Sequence, residues 1–155
     1  MTSLRSILAP AQTRLALQAP DLEAATREVL ELLRGDLRVL QWDALEKAVH
    51  DRAAAPLCAK GCCGILIAHG RTNAVGSLVL SAGRFPAGID DPATGQRVHL
   101  VFVAGIPASF NNDYLRIVGT IARVCGNPEK NRSLLQATIP ADFIEILASG
   151  ETELG

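Results

Sequence analysis

His69 ends the apolar run at residues 64–69 (GILIAH) and is followed by the turn-forming tetrad Gly70-Arg71-Thr72-Asn73. The end of an apolar strand, where the chain turns, is a common place for a functional side chain. Histidine there can serve as nucleophile, acid/base or ligand, because at an ordinary pKa near 6.5 about three-quarters of it is neutral at pH 7. Position alone leaves a structural role open as the more common reading of such a histidine. The four cysteines offer a second chemistry: Cys58, Cys62 and Cys63 lie close together, with Cys125 further on. A zinc site takes two ligand pairs of similar spacing, and only the first half of such a set is present, so no bound metal is expected. Cys63 and Cys125 sit in apolar contexts that suit small buried hydrophobes, and a redox thiol pair is the weaker alternative. His99, within an apolar strand pattern, and His50, at the end of an amphipathic helix pattern, read as structural. The chain contains neither a G-x-x-x-x-G-K-[ST] nor a G-x-G-x-x-G loop and no Ser or Cys nucleophile motif, which leaves nucleotide binding through such loops unsupported.

The elements that must position these residues change period several times along the chain. Residues 13–18 (TRLALQ) alternate polar and apolar, the signature of a half-buried strand. Pro20 and Asp21 then open a helix whose stripe is Leu22, Ala25, Val29, Leu32 and Leu33, stopped at Arg34 and Gly35. A second helix is expected over 43–52, with Ala44, Leu45, Ala48 and Val49 as its apolar face. The runs 64–69, 75–82 and 97–104 are rich in Ile, Val and Leu with little alternation and predict central strands covered on both faces. Residues 83–96, with two prolines, three glycines and two aspartates, predict a loop or long hairpin tip. Three helices follow: one capped by Asn111 or Asn112 and carrying Leu115, Val118, Ile121, Ala122 and Cys125, one opening at Asn127-Pro128-Glu129, and one over 140–147. The expected fold class is α/β or α+β, a mixed sheet flanked by helices on both faces.

Composition bounds the function classes. With 155 residues, 48% hydrophobic and 20% charged, the chain reads as one globular domain over Met1–Gly155 that needs no metal or disulfide to fold. Fifteen Lys and Arg against sixteen Asp and Glu give a net charge of −1, without the bulk positive charge that non-specific nucleic-acid binding uses. The longest apolar stretch, 98–110, is broken by His99, Gly105 and Pro107 and falls short of the roughly 20 residues of a spanning helix, so membrane insertion is not expected. Arg5 and Arg14 interrupt the start of the chain, which argues against a secretory signal, and the cysteine pattern suits a reducing compartment. A cytoplasmic location follows as the expectation.

The segment Gly64-Ile65-Leu66-Ile67-Ala68-His69-Gly70-Arg71-Thr72 resembles the active-site segment of the enzyme IIA domains of the mannitol/fructose class, which includes the nitrogen-regulatory version. These domains belong to the bacterial phosphoenolpyruvate-dependent sugar phosphotransferase system, and the segment reads approximately G-I-A-I-P-H-x-R, its histidine carrying the phosphoryl group. The run from Val98 to Pro107 is similar to the family's strand before its second site segment, Tyr114-Leu115-Arg116-Ile117-Val118 to a helix start that usually reads H-L-x-x-L, and 45–52 to the helix ending in the family's active-site arginine. The resemblance covers nearly the whole chain.

It implies that His69 is the phosphoryl acceptor and that Arg52, Arg71 and Tyr114 surround the phosphoryl group. Arg52 stands one residue further from His69 than the family places its arginine. Three positions depart from the pattern: Ala68 replaces the proline, the Cys58 to Cys63 region replaces a T-G-I-G turn, and Tyr114 replaces the second histidine. The resemblance further implies a phosphocarrier or regulatory protein without cofactor, a histidine phosphocarrier protein as donor, and a regulatory target or a separate sugar-transporter subunit as recipient. The alternative is a degenerate module that keeps the fold and acts by protein binding alone.

Overall fold

The computed structural model describes residues 3–52, 54–108 and 112–152. Among them a four-stranded sheet in the order β1-β3-β4-β2 carries helices on both faces, the mixed α/β architecture expected from the strand and helix patterns. The strands are β1 (Thr13–Arg14), β2 (Gly64–Arg71), β3 (Val79–Asp90) and β4 (Arg97–Ile106). The helices are α1 (Leu4–Ile7), α2 (Leu22–Glu31), α3 (Trp42–His50), α4 (Asn112–Cys125), α5 (Pro128–Gln136) and α6 (Pro140–Thr152). β1 runs parallel to β3 and β2 parallel to β4, while β3 and β4 are antiparallel.

Strand alternation divides the core into two layers. Leu100, Phe102, Ala104 and Ile106 of β4 face α1, α4, α5 and α6, where they meet Ile117, Ile121, Phe143 and Leu147. Val101 and Val103 face the opposite way, onto Val29, Leu33, Leu45 and Val49 of the α2–α3 layer. α2 starts where expected, with the Asp21 carboxylate accepting from the Ala24 N–H at 2.8 Å, and the chain leaves it at Gly35 with φ +88°. α5 is likewise capped by Asn127, with Pro128 in its first turn.

Several boundaries differ from the sequence reading. The strand expected over 13–18 is paired only at Thr13 and Arg14, with one further bond from the Leu17 N–H to Arg84. The helix expected over 43–52 occupies Trp42–His50, which leaves Arg52 just beyond its end. The run 75–82 does not form one strand: the backbone of Ala74 and Gly76 bonds to Arg38, Leu40 and Gln41, so Val75 pairs with Val39 and β3 begins only at Val79. β3 then continues through most of the predicted 83–96 loop to Asp90. Its turn residues sit in a bulge, since Arg84 pairs with Leu100 and Ile89 with Val98, leaving residues 85–88 opposite His99 alone. Pro86 has no N–H to give to a ladder, and Gly88 at φ +77° has no room for a Cβ beside Arg97 and His99. β2 is an edge strand, not a central one, although helices cover both its faces; Leu57 exchanges two backbone bonds of 2.8 Å with Ile65 on its outer side. α1 was not anticipated.

On α4 the buried positions are Ile117, Thr120, Ile121, Val124 and Cys125, while the predicted Leu115 is 64% exposed. The stripe runs through Tyr114 instead, three residues before Ile117 and seven before Ile121, because that side chain is drawn to the end of β2. The predicted cap Asn111 lies outside the described residues, and Asn112 is the first helical residue.

Candidate functional site

The alternation that fills the core also aims His69. Ile65 and Ile67 point to the α4–α6 layer and Leu66 and Ala68 to α3, so His69 at the next odd position faces α4, and Arg71 follows on the same face. Gly70 faces α3. A Cβ there would stand 2.7 Å from backbone atoms of Ala48 and Val49, so only glycine lets the last turn of α3 lie against this strand. That contact carries the chain to Arg52.

Tyr114 lies in the first turn of α4, its hydroxyl 3.0 Å from His69 Nδ1 and its ring tilted at 44° with centroids 5.0 Å apart. The imidazole is half-buried. Burial is the main cause of a His69 pKa below the ordinary imidazole value, and the charges of Arg52 and then Arg71 lower it further. Burial raises the Tyr114 phenol, with Arg52 opposing, so Arg52 acts on both rings. Among the described residues, neither Arg52 nor Arg71 has a carboxylate partner. The outcome is a neutral imidazole at the carboxyl end of a parallel strand pair, with Nδ1 engaged, two uncompensated guanidinium charges in range, and the positive end of a helix macrodipole close by.

The structure thus brings Tyr114 onto His69 and both arginines within electrostatic reach of it. Leu115 is the neighbouring residue that helical periodicity misplaced: it lies exposed beside Tyr114. An open groove of about 910 Å³ runs between α2 and α3 and includes Arg52 in its lining, but its walls do not include His69. The other histidines do not join the site. His99 Nδ1–H donates to the Phe85 carbonyl at 3.0 Å, and His50 is exposed at the end of α3. Among the described residues no group of three or more His, Cys, Asp or Glu side chains is arranged to hold a metal ion. No helix of these residues is long and apolar enough to cross a membrane.

The fold agrees with comparisons to known proteins. The nitrogen regulatory protein IIA-Ntr from Neisseria meningitidis superposes with a TM-score of 0.74 at 19% identity, covering 91% of this chain and 96% of that one. IIA mannitol from Escherichia coli gives a TM-score of 0.70 at 19% identity over 90% of this chain and 98% of that one. A complex of enzyme IIA mannitol with phosphorylated enzyme IIB mannitol, also from Escherichia coli, matches with a TM-score of 0.73 at 16% identity over 92% of this chain and 99% of that one. At these identities the likeness is one of fold. No relative matches among curated protein sequences. Family membership rests on the sequence itself, because residues 6–150 match the family described as phosphoenolpyruvate-dependent sugar phosphotransferase system, EIIA 2. Over residues 6–150 the chain belongs to this EIIA family.

Proposed function

We propose that this protein accepts a phosphoryl group on His69 Nε2 from the phosphohistidine of a small phosphocarrier protein, and holds it for regulation or for transfer to a separate transporter subunit. The supporting observation is the pairing of a neutral, half-buried imidazole with two arginines that have no carboxylate partner among the described residues. In the transfer, the Nε2 lone pair forms a new N–P bond as the N–P bond of the donor breaks and its electron pair returns to the donor imidazole. The phosphoryl group brings about two negative charges, and Arg52, Arg71 and the first turn of α4 meet them, each charge-assisted hydrogen bond contributing about 1.5–3 kcal/mol. No cofactor is needed, because such transfer is positioning plus electrostatics.

The Tyr114 hydrogen bond decides the protonation state of the acceptor. If His69 Nδ1–H donates to the phenol oxygen, Nε2 carries a free lone pair and can attack. If the phenol O–H donates to Nδ1, Nε2 keeps its proton and cannot. The second arrangement favours the other reading, a non-phosphorylated module that acts by protein binding.

The test incubates the protein with phosphoenolpyruvate, the first enzyme of the pathway and its histidine phosphocarrier. One acid-labile phosphoryl group per chain is expected, lost in His69→Ala. Tyr114→His should raise the rate, because a second imidazole can bond to and partly neutralise the phosphoryl oxygens. Uptake by Tyr114→His but not by the natural chain would establish the binding-module reading.

A further inference from the structure

The Leu57–Ile65 pairing closes residues 58–64 into a loop at the start of β2, and within it the Cys58 sulfur lies against the backbone of Cys62. The Cys62 N–H donates to the Ala59 carbonyl at 3.0 Å, which makes Ala59-Lys60-Gly61-Cys62 a tight turn, with Gly61 supplying φ +80° at its third position. The Cys58 thiol lies in the cup of this turn, with Sγ 3.8 Å from the Ala59 carbonyl oxygen and 3.5 Å from that of Cys62. Cys58 is exposed and Cys62 half-exposed, so a small oxidant reaches both.

We propose that Cys58 and Cys62 form a peroxide-reactive dithiol site, which closes to an intramolecular disulfide. A disulfide requires Cα atoms roughly 4.4–6.8 Å apart. The turn supplies that proximity: the Cys58 sulfur already touches the carbonyl oxygen of Cys62, two bonds from the Cys62 Cα, so closure needs side-chain rotation and little backbone movement.

The two thiols have different roles. The exposed Cys58, as thiolate, attacks the O–O bond of hydrogen peroxide; an S–O bond forms, the O–O bond breaks, and the released hydroxide leaves as water with the thiol proton. The Cys62 sulfur then attacks the Cys58 sulfenic acid, forming the S–S bond as the S–O bond breaks and a second water departs. Two thiols lose two electrons, and the peroxide is reduced to two waters. Burial and the neighbouring Cys58 thiol raise the Cys62 pKa, which suits the resolving position.

Cys63 and Cys125 line a small pocket together with Cys58, but their thiols are engaged or enclosed. Cys63 Sγ accepts from Asn131 Nδ2 at 3.3 Å, and the Cys63 N–H donates to Asn131 Oδ1 at 3.2 Å. Asn131, itself 3% exposed, also donates to the Cys125 carbonyl at 3.0 Å. Burial raises both thiol pKa values, and Cys125 is enclosed at the end of α4.

Lys60 lies between the two reactive cysteines, which supplies the readout. After a brief treatment of the whole folded protein with dilute hydrogen peroxide and alkylation of the remaining thiols, trypsin cleaves at Lys60 and releases peptides 53–60 and 61–71. The expected product is these two peptides joined by a disulfide, with the protein monomeric on a non-reducing gel and the link reversed by dithiothreitol. Cys58→Ser and Cys62→Ser should each reduce the linked peptide to the untreated background, and Cys63→Ser should leave it unchanged. Alanine at positions 58 and 62 should behave as serine does. Linked peptide that persists in Cys62→Ser, a bridge formed only between molecules, or oxidation of Cys58 to sulfinic acid with Cys62 still alkylated would overturn the proposal. None of these outcomes depends on phosphoryl transfer to His69.

Discussion

At the scale of single residues, the site is governed by how strongly His69 holds a proton. Burial disfavours the imidazolium, and Arg52 adds to this by like-charge repulsion, so Arg52→Gln should raise the His69 pKa while leaving it below the ordinary value, because burial remains. Arg71→Gln should act in the same direction and less, its charge being the smaller of the two causes. An NMR titration of the His69 ring checks both. Under the proposed function Arg52→Gln also removes one charge-assisted donor of about 1.5–3 kcal/mol, so phosphoryl uptake should fall by roughly ten- to a hundredfold. The lowered pKa also couples to folding. The unfolded chain binds the His69 proton more tightly than the folded one, so this residue costs nothing above pH 6.5 and lowers stability as pH falls from there through the folded pKa. Urea midpoints measured across that window should decline less steeply in His69→Gln than in the natural chain.

At the scale of elements, the site depends on one close approach between a helix and a strand. Gly70 has no side chain because the backbone of Ala48 and Val49 occupies the space, and the chain that leaves this contact carries Arg52. Gly70→Ala should therefore destabilise the fold by about 1–3 kcal/mol, the usual range for overpacking, as read from a urea denaturation curve. Under the proposed function it should also lower phosphoryl uptake in protein that remains folded, because α3 must shift away from β2 and take Arg52 with it. A matched substitution on the exposed face, Leu115→Ala, should leave stability within about 0.5 kcal/mol. α4 has a corresponding part: its buried stripe through Tyr114, Ile117 and Ile121 fixes the rotation at which the phenol meets Nδ1.

At the scale of the whole molecule, β4 joins the two layers. Phe102 is fully buried, packs 6.5 Å from Phe143 between ring centroids, and pairs in register with Ile67 of the strand that holds His69. Phe102→Ala should cost about 3–5 kcal/mol, a large share of the 5–15 kcal/mol typical of a domain. Under the proposed function its loss of phosphoryl uptake should track the unfolded fraction measured by circular dichroism, in contrast to His69→Ala, which should remain folded and take up none.

The local signals that the sequence carries by itself are the apolar strand that holds His69, the Asp21 and Asn127 helix caps, the mixed sheet with helices on both faces, and a motif that resembles the EIIA family. These are legible because periodicity and caps are properties of short segments. The turn expected at 70–73 begins later, because Gly70 and Arg71 still pair with Gly105 and Ile106. Sequence alone did not show that 83–90 continues β3 through a bulge, that 74–76 pairs with 38–41, or that β2 is an edge strand, since each depends on which distant backbone groups are available for hydrogen bonding. The rotation of α4 is hidden for a related reason: Leu115 and Tyr114 both fit an amphipathic helix, and only packing against β2 turns the tyrosine inward. His69, Arg52, Arg71 and Tyr114 could be named one by one from the motif. Their meeting at one strand end required the tertiary structure, because it follows from the Gly70 contact with α3 on one face of the sheet and the seating of α4 on the other.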